Sequence, residues 1–216
     1  MNIKGIVFDL DGTLADSIED IADSMNQVLL EQNLTVHDIA TYKSFVGNGI
    51  RKLVERSLPE AMRTPEPFAK NLSRMMEIYG ANCINKTKLY PGISDLLDQV
   101  QQKGLKIAVF SNKANDLTQK VVKVLLAKWD VEFVIGAGGD VARKPNPQGA
   151  LMAAKSMGFD PKDIIFVGDS GVDMETAKNA GMFGVGVLWG FREAEELKAN
   201  GADAIIGDAI ELLKHL

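Results

Sequence analysis

The chain has 216 residues, of which 46% are hydrophobic and 25% are charged, and its formal net charge is −5. This is the balance of an ordinary globular protein, and with a single cysteine it excludes a disordered chain, a collagen-like fibre and a disulfide scaffold. Since no basic cluster is long enough to follow a phosphate backbone, we expect no nucleic-acid partner.

The predicted elements begin with a short strand and then a long helical region. Residues 3–10 are an apolar run bounded by Gly12, which is typical of a buried strand. From residue 17 to about residue 85, apolar side chains recur at helical spacing, with prolines between the segments. Ser17 and Asp20 indicate where the first helix starts. We therefore predict a bundle of helices inserted after the first strand.

Strands and helices then alternate to the end of the chain. The predicted strands are 105–110, 133–135, 164–167 and 184–188; the predicted helices are near 94–103, 116–128, 147–157 and 173–180; short segments at 193–199, 204–206 and 209–215 follow. This alternation indicates βαβ units. We predict an α/β fold: a Rossmann-like parallel sheet core with helices on both faces and an inserted α-helical cap. Residues 1–15 and 88–216 would form the core domain, and residues 16–87 the cap domain.

Ligands of such sheets bind beyond the carboxyl ends of the strands, so the residues there matter most. The first strand ends in Asp9, Asp11 and Gly12. Side chains two residues apart share a face, so both carboxylates can point into one site. Such a pair suits a divalent metal, or a nucleophile beside a general acid. The alternative is a solvated turn.

The second and third strands are followed by groups that can hold an anion. Ser111 and Asn112 offer a hydroxyl and backbone N–H groups, although Ser111 or Asn115 could instead cap the next helix. Lys144 is followed by Pro145 and Pro147, which would restrict the backbone and hold the ammonium in a fixed place to pair with phosphate and nearby carboxylates. The alternative for Lys144 is an exposed loop lysine.

The fourth strand ends in Asp169, and Asp173 begins the helix after it. The two carboxylates could share one Mg²⁺ site, or they could be a turn residue and a helix N-cap. Taken together, the strand ends deliver carboxylates, a hydroxyl and an ammonium to one edge. That set is what metal-assisted phosphoryl transfer requires.

These residues resemble the four ordered motifs of the haloacid dehalogenase (HAD) superfamily. The matching segments are residues 9–14, Ser111-Asn112, Lys144-Pro145, and Gly168-Asp169-Ser170 with Asp173. The helical insert resembles the α-helical cap of one large subgroup, and residues 45–53 resemble the cap loop of phosphoglycolate phosphatases. The resemblance implies a phosphatase that works through an aspartyl-phosphate.

The resemblance also implies a role for each motif residue. Asp9 would be the nucleophile, and Asp11 would protonate the leaving alcohol and then activate water. Ser111, Asn112 and Lys144 would hold the phosphoryl oxygens. The implied cofactor is Mg²⁺, bound by Asp9, the backbone carbonyl of Asp11, and Asp169, with support from Asp173.

The cap loop gives a hypothesis for the substrate. Gly47, Asn48 and Gly49 open a helix that carries Arg51. Glycines allow close backbone approach, and a helix N-terminus favours an anion. We expect these residues to contact the carboxylate of a small phosphorylated acid, with 2-phosphoglycolate as the leading candidate. The alternative is that the glycines only allow a turn.

Other chemistries remain to be weighed. Asp11 argues against dehalogenation, because a halide leaves without a proton. A phosphatase for another small metabolite, a sugar-phosphate mutase and a non-catalytic binding module stay open as alternatives.

The most apolar run, residues 181–191, is too short to cross a bilayer, and the lone Cys83 fits a reducing cytosol. We expect a cytoplasmic monomer or homodimer with no membrane contact, acting on a small phosphate ester.

Overall fold

The computed structural model describes residues 2–216 of the chain. Its strands are β1 (Gly5–Phe8), β2 (Ala15–Asp16), β3 (Lys88–Leu89), β4 (Lys106–Ala114), β5 (Val131–Ala137), β6 (Ile164–Gly168), β7 (Phe183–Val187) and β8 (Ala204–Ile206). Its α-helices are α1 (Ile18–Leu30), α2 (Ile39–Phe45), α3 (Ile50–Ser57), α4 (Pro65–Asn82), α5 (Ile93–Gln102), α6 (Asn115–Leu125), α7 (Gln148–Met157), α8 (Gly171–Ala180) and α9 (Ala194–Ala199). Short 3₁₀ helices cover Glu60–Met62, Pro161–Asp163 and Ala209–His215.

Six strands form one parallel sheet in the order β5-β4-β1-β6-β7-β8. β1 lies inside this sheet and is buried on both faces, because its successive apolar side chains point to opposite sides. Ile6 and Phe8 pack into one apolar cluster, whereas Val7 packs into the cluster on the other face. The predicted α/β fold is therefore confirmed, with helices covering both faces of a parallel sheet.

The predicted elements of the core agree with the structure except at two places. β4 continues past Phe110 to Ala114, so Ser111 is part of the strand and does not cap the next helix. Asn115 does not cap it either, because its Oδ1 accepts from the backbone N–H of Gly136 at 2.9 Å. The second difference is the short β2–β3 pair. Each of these strands has only two residues, and two residues are too few to show a pattern in the sequence.

The helical insert, residues 18–82, is joined to the sheet by two adjacent passages of chain. β2 and β3 pair in antiparallel fashion, with Ala15 opposite Leu89. The buried carboxylate of Asp20 accepts from the backbone N–H groups of Lys86 and Thr87 at 2.9–3.0 Å, and so fixes the returning chain to the start of α1. The predicted domain boundaries lie beside these passages and stay a prediction. None of the helices within residues 2–216 has the length and apolarity needed to cross a membrane.

Candidate active site

The carboxyl ends of β1 and β6 place Asp9 beside Asp169. The strands pair with Phe8 opposite Val167, and the backbone N–H of Asp9 donates to the carbonyl oxygen of Val167 at 2.9 Å. Gly12 turns the chain over this edge with φ of +90°, and a Cβ there would overlap the carboxylate of Asp169. Only glycine combines this backbone conformation with so close an approach. The first predicted strand end is therefore a packed edge and not a solvated turn.

Lys144 is buried at this edge and joins two of the predicted acids. Its Nζ lies 2.6 Å from Asp9 Oδ1 and 2.7 Å from Asp173 Oδ1. The Asn112 carboxamide holds the Lys144 backbone, accepting from its N–H at 2.8 Å and donating to its carbonyl at 3.3 Å. Burial lowers the pKa of Lys144, but Asp173 and Asp9 more than offset it, so the net pKa is raised. The alternative of an exposed loop lysine is wrong.

Three carboxylates converge around this ammonium. One oxygen from each of Asp9, Asp169 and Asp173 lies within 4.8 Å of the other two, and all three side chains are buried. Burial raises the pKa of Asp9 to about 7, with Lys144 opposing and Asp173 adding to the effect. Burial, with the charges of Asp173 and Asp9, also raises the pKa of Asp169 well above its ordinary value. One lysine does not balance three acids, and a hard divalent cation with a preference for oxygen fits this donor set.

The two carboxylate oxygens of Asp173 have different partners. It is the third residue of α8, where its Oδ2 accepts from the backbone N–H (3.1 Å) and the hydroxyl (2.6 Å) of the N-cap residue Ser170. Its other oxygen faces Lys144. The N-cap is therefore Ser170 and not Asp173, which takes part in the cap from the third position of the helix. The cap directs the other oxygen of Asp173 toward Lys144, and its predicted metal role stays a prediction.

The side chain of Asp11 lies outside the three-carboxylate group and has its own partners. Lys113 Nζ donates to both of its oxygens, at 2.9 and 3.0 Å, and Ser17 Oγ donates to Oδ1 at 2.6 Å. Lys113 also donates to the hydroxyl of Tyr79 from α4. Burial opposes the charge of Lys113, but Asp11 and Tyr79 raise its pKa overall. The predicted metal contact of Asp11 concerns its backbone carbonyl and stays a prediction.

Ser111 and Asn112 differ in what they reach. Ser111 is buried and lines the same cavity as Asp9 and Lys144, in line with its predicted phosphate contact. Asn112 lines the cavity too, but its carboxamide nitrogen donates to the carbonyl oxygen of Gly47 in the insert at 3.1 Å. Asn112 therefore links the sheet edge to the insert, and its predicted contact with phosphate stays a prediction.

A cavity lies between the sheet edge and the insert, with a volume of about 60 Å³. A single water molecule needs about 10–15 Å³, so the space suits a small ligand. The sheet side contributes Asp9, Asp11, Ser111, Asn112, Lys113, Ala114, Leu117, Lys144 and Ser170, and the insert side contributes Ile21, Val46, Gly47, Gly49, Ile50, Leu53, Met75 and Tyr79. The structure thus brings the predicted catalytic residues and the two predicted insert glycines to one cavity.

The other two predicted insert residues point elsewhere. The Oδ1 of Asn48 accepts from Arg56 at 2.8 Å, within the insert. Arg51 is exposed, and its guanidinium carbon lies 4.6 Å from the centre of the Phe68 ring. Both side chains lie outside the cavity lining.

Residues 188–192, which follow β7, contact the site without having been predicted to do so. The backbone N–H of Phe191 donates to Asp169 Oδ2 at 2.8 Å, and the indole N–H of Trp189 donates to the carbonyl oxygen of Thr13 at 2.9 Å. Arg192, which follows Phe191, donates to two backbone carbonyl groups of the insert. The segment is therefore anchored at the site on one side and at the insert on the other.

Sequence reasoning also missed Lys113, Tyr79 and Ser17 as site residues. A signal was present for Lys113, because side chains two apart on a strand share a face, and Ser111 was already a candidate. Tyr79 fitted an apolar helical pattern, and Ser17 was assigned to the start of α1, so neither had a pattern that indicated the site.

The arrangement offers a nucleophile, a proton carrier and fixed positive charge in one partly enclosed space. Lys144 engages one oxygen of Asp9, and the other oxygen has no hydrogen-bond partner within residues 2–216. Asp11, two residues along, can give or take a proton. Buried carboxylates beside a fixed ammonium are suited to transfer of an anionic group such as phosphoryl.

Comparison with known proteins agrees with this chemistry. The family model described as haloacid dehalogenase-like hydrolase matches residues 6–187. A phosphoglycolate phosphatase of Aquifex aeolicus is 34% identical over 191 residues, which cover 88% of this chain and 86% of the relative. A phosphoglycolate phosphatase of Escherichia coli K12 is 30% identical, over 100% of this chain and 93% of the relative.

A solved structure described as a predicted phosphoglycolate phosphatase from Haemophilus somnus superposes with a TM-score of 0.91 at 29% identity. The alignment covers 100% of this chain and 98% of that one. The fold therefore agrees over the whole length of the chain, including the helical insert. The chain belongs to the haloacid dehalogenase-like hydrolase family, and it is a phosphatase.

Proposed function

We propose that the protein is a Mg²⁺-dependent phosphomonoesterase that works through an aspartyl-phosphate on Asp9, and that its substrate is a small phosphorylated acid such as 2-phosphoglycolate. The observation that carries the proposal is the position of Asp9, with one oxygen held by Lys144 at 2.6 Å and the other without a partner among the described residues. The names of the relatives support the choice of substrate.

In the first step the unpaired oxygen of Asp9 attacks phosphorus, and the ester oxygen leaves with a proton from Asp11. Lys144 and Ser111 hold the phosphoryl oxygens while charge shifts toward them. Asp9, Asp169 and the backbone carbonyl of Asp11, with support from Asp173, would hold Mg²⁺, which would supply positive charge to offset the charge of the phosphoryl group.

In the second step a water molecule attacks the phosphorus of the aspartyl-phosphate. Asp11, now a carboxylate, takes a proton from this water, and the bond between phosphorus and Asp9 breaks. Inorganic phosphate leaves, and Asp9 returns to its starting form. Asp11 thus carries one proton in each direction, which requires one group within reach of both the ester oxygen and the water.

The insert has two tasks in this proposal. It covers the sheet edge, so that water other than the attacking molecule is excluded. It also supplies contacts to the substrate beyond its phosphate. Gly47 and Gly49 line the cavity and support the predicted contacts of residues 47–51. Asn48 and Arg51 have partners within the insert, and their contact with the substrate stays a prediction.

The test is phosphate release by purified protein from 2-phosphoglycolate, p-nitrophenyl phosphate, a sugar phosphate, a nucleotide and pyrophosphate. We expect 2-phosphoglycolate to give the highest kcat/KM. We expect activity to require Mg²⁺. Ca²⁺ should replace Mg²⁺ poorly, because it takes more ligands at longer distance. Full activity in excess EDTA, or no turnover of any ester, would contradict the proposal.

A further inference from the structure

The cavity has a charged end and an apolar end. Asp9, Ser111 and Lys144 stand at the charged end, where the phosphoryl group would bind. Away from it the lining is apolar: Ile21, Val46, Ile50, Leu53, Met75 and Leu117. Two of the polar side chains in the lining, Lys113 from β4 and Tyr79 from α4, lie at this apolar part of the cavity and contact each other. They belong to opposite walls of the cavity and meet each other across it.

Lys113 carries a buried charge that the phosphoryl chemistry leaves unassigned. Its side chain is 4% exposed, and its Nζ donates to the two oxygens of Asp11 at 2.9 and 3.0 Å and to the hydroxyl of Tyr79. The Tyr79 hydroxyl accepts this bond, and its own proton has no acceptor among residues 2–216. One hydrogen-bond donor is thus already available to a ligand in the cavity.

The ammonium of Lys113 adds positive charge to the same part of the cavity. Its side chain lines the cavity together with Tyr79, which it contacts directly. An anionic group on the substrate that reaches these two side chains would be attracted by the ammonium and would accept from the Tyr79 hydroxyl.

We propose that Lys113 and Tyr79 form the specificity-determining pair for the substrate, binding a carboxylate on the leaving group. The assignment rests on the proposed function, because it takes Asp11 to lie at the ester oxygen. Since Lys113 contacts Asp11 directly, the substrate carboxylate that Lys113 binds must lie only a few bonds from the ester oxygen that Asp11 protonates. The substrate class is therefore a compact phosphorylated 2-hydroxy acid, with the apolar wall packing against its short carbon chain.

A site built in this way disfavours a neutral analogue, because the analogue brings no negative charge to the buried ammonium and offers the phenol a weaker, uncharged acceptor. The exposed Arg51 is then not required for recognition. This distinguishes the proposal from the cap-loop hypothesis, in which residues 47–51 bind the carboxylate.

The test compares 2-phosphoglycolate with 2-hydroxyethyl phosphate, which has the same chain length and a neutral end. The variants are Tyr79→Phe, Lys113→Met and the control Lys120→Met. Lys120 also joins α6 to the insert, by donating to the carbonyl oxygen of Gly80 at 2.7 Å, but it lies outside the cavity lining. The readout is the ratio of the two kcat/KM values, so that a general loss through Asp11 cancels.

We expect the wild type to prefer the carboxylated substrate. Lys113→Met should lower this preference by about 10- to 100-fold, the value of a hydrogen bond to a charged group, and Tyr79→Phe by a smaller factor. Lys120→Met should keep the wild-type ratio. The dissociation constants of both esters for Asp9→Asn protein, measured by calorimetry with and without Tyr79→Phe, should show the same change of ratio in the absence of chemistry.

One result would overturn the assignment while the phosphatase proposal stood, namely a wild-type ratio in both variants. If Lys113→Met also lowered kcat/KM equally for both substrates, Lys113 would be a positioning residue for Asp11 only. A wild-type protein that hydrolyses neither ester would instead contradict the proposed function itself.

Discussion

Arg192 Nη2 donates a 2.7 Å hydrogen bond to the carbonyl oxygen of Val46, and this bond joins the segment after β7 to the helical insert. Its Nη1 donates to the carbonyl oxygen of Lys43 at 2.6 Å. The preceding residue, Phe191, donates its backbone N–H to the carboxylate of Asp169. Two consecutive residues thus tie the insert to the carboxylate group, so the position of the insert and the geometry of the site depend on one short segment.

We predict that Arg192→Met lowers kcat/KM for phosphomonoesters by about 10-fold, because two charge-assisted hydrogen bonds that hold the insert over the cavity are lost. The measurement is steady-state phosphate release. Arg74→Met is the matched control, since Arg74 pairs with Glu31 on the exposed surface of the insert. Unchanged kcat/KM in Arg192→Met would show that these bonds do not matter for closure.

The second prediction concerns the nucleophile. Asp9→Asn should lower kcat by at least about 10³-fold, because an amide is no substitute for the attacking carboxylate. Circular dichroism should show an unchanged fold. The control is Asp160→Asn, an exposed acid whose nearest cation, Lys162, lies 3.7 Å away. Appreciable turnover by pure Asp9→Asn protein would remove Asp9 from this role.

The sequence allows the sheet edge to be predicted better than the surface that faces it. Asp9 and Asp169 follow apolar strands, and parallel strands bring their ends together, so their proximity follows from the pattern. The burial of Lys113 does not follow from the sequence pattern, because β4 continues beyond its apolar run into polar residues. The role of Arg192 depends on where the insert lies in three dimensions. No spacing along the chain indicates that an arginine near residue 190 reaches the carbonyl groups of residues 43 and 46.

The third prediction follows from the raised pKa of Asp9. Burial raises this pKa to about 7, so the folded protein keeps a proton that the unfolded chain releases near the ordinary value of 3.8. The stabilisation is complete below the unfolded value and is lost as pH rises through the folded one. In EDTA, the Tm of the wild type should therefore fall between pH 5 and pH 8, and the fall should be smaller in Asp9→Asn.

Thermal unfolding in EDTA at the two pH values measures this difference. We expect the falls to differ by at least about 2 °C, which corresponds to about 1 kcal/mol for a chain of this size. Adding Mg²⁺ at pH 8 should restore the Tm of the wild type, because a ligand that binds only the folded state stabilises it. Equal falls in both proteins would show that Asp9 does not titrate in this range.

The last prediction separates binding from catalysis at Lys144. Its ammonium contacts Asp9 and Asp173 at 2.6 and 2.7 Å, so it is placed where negative charge is redistributed as phosphoryl moves. Lys144→Ala should lower kcat by about 10²-fold or more and change KM less, because the contact strengthens in the transition state.

The same variant should also destabilise the protein in EDTA by about 3–5 kcal/mol, the cost of leaving buried acids without their partner. Urea unfolding measures the second effect, and steady-state kinetics with saturating Mg²⁺ measures the first. A variant whose only defect is a raised KM would show that Lys144 binds the substrate without stabilising the transition state, and unchanged stability in EDTA would show that the two acids lie protonated or solvated without it.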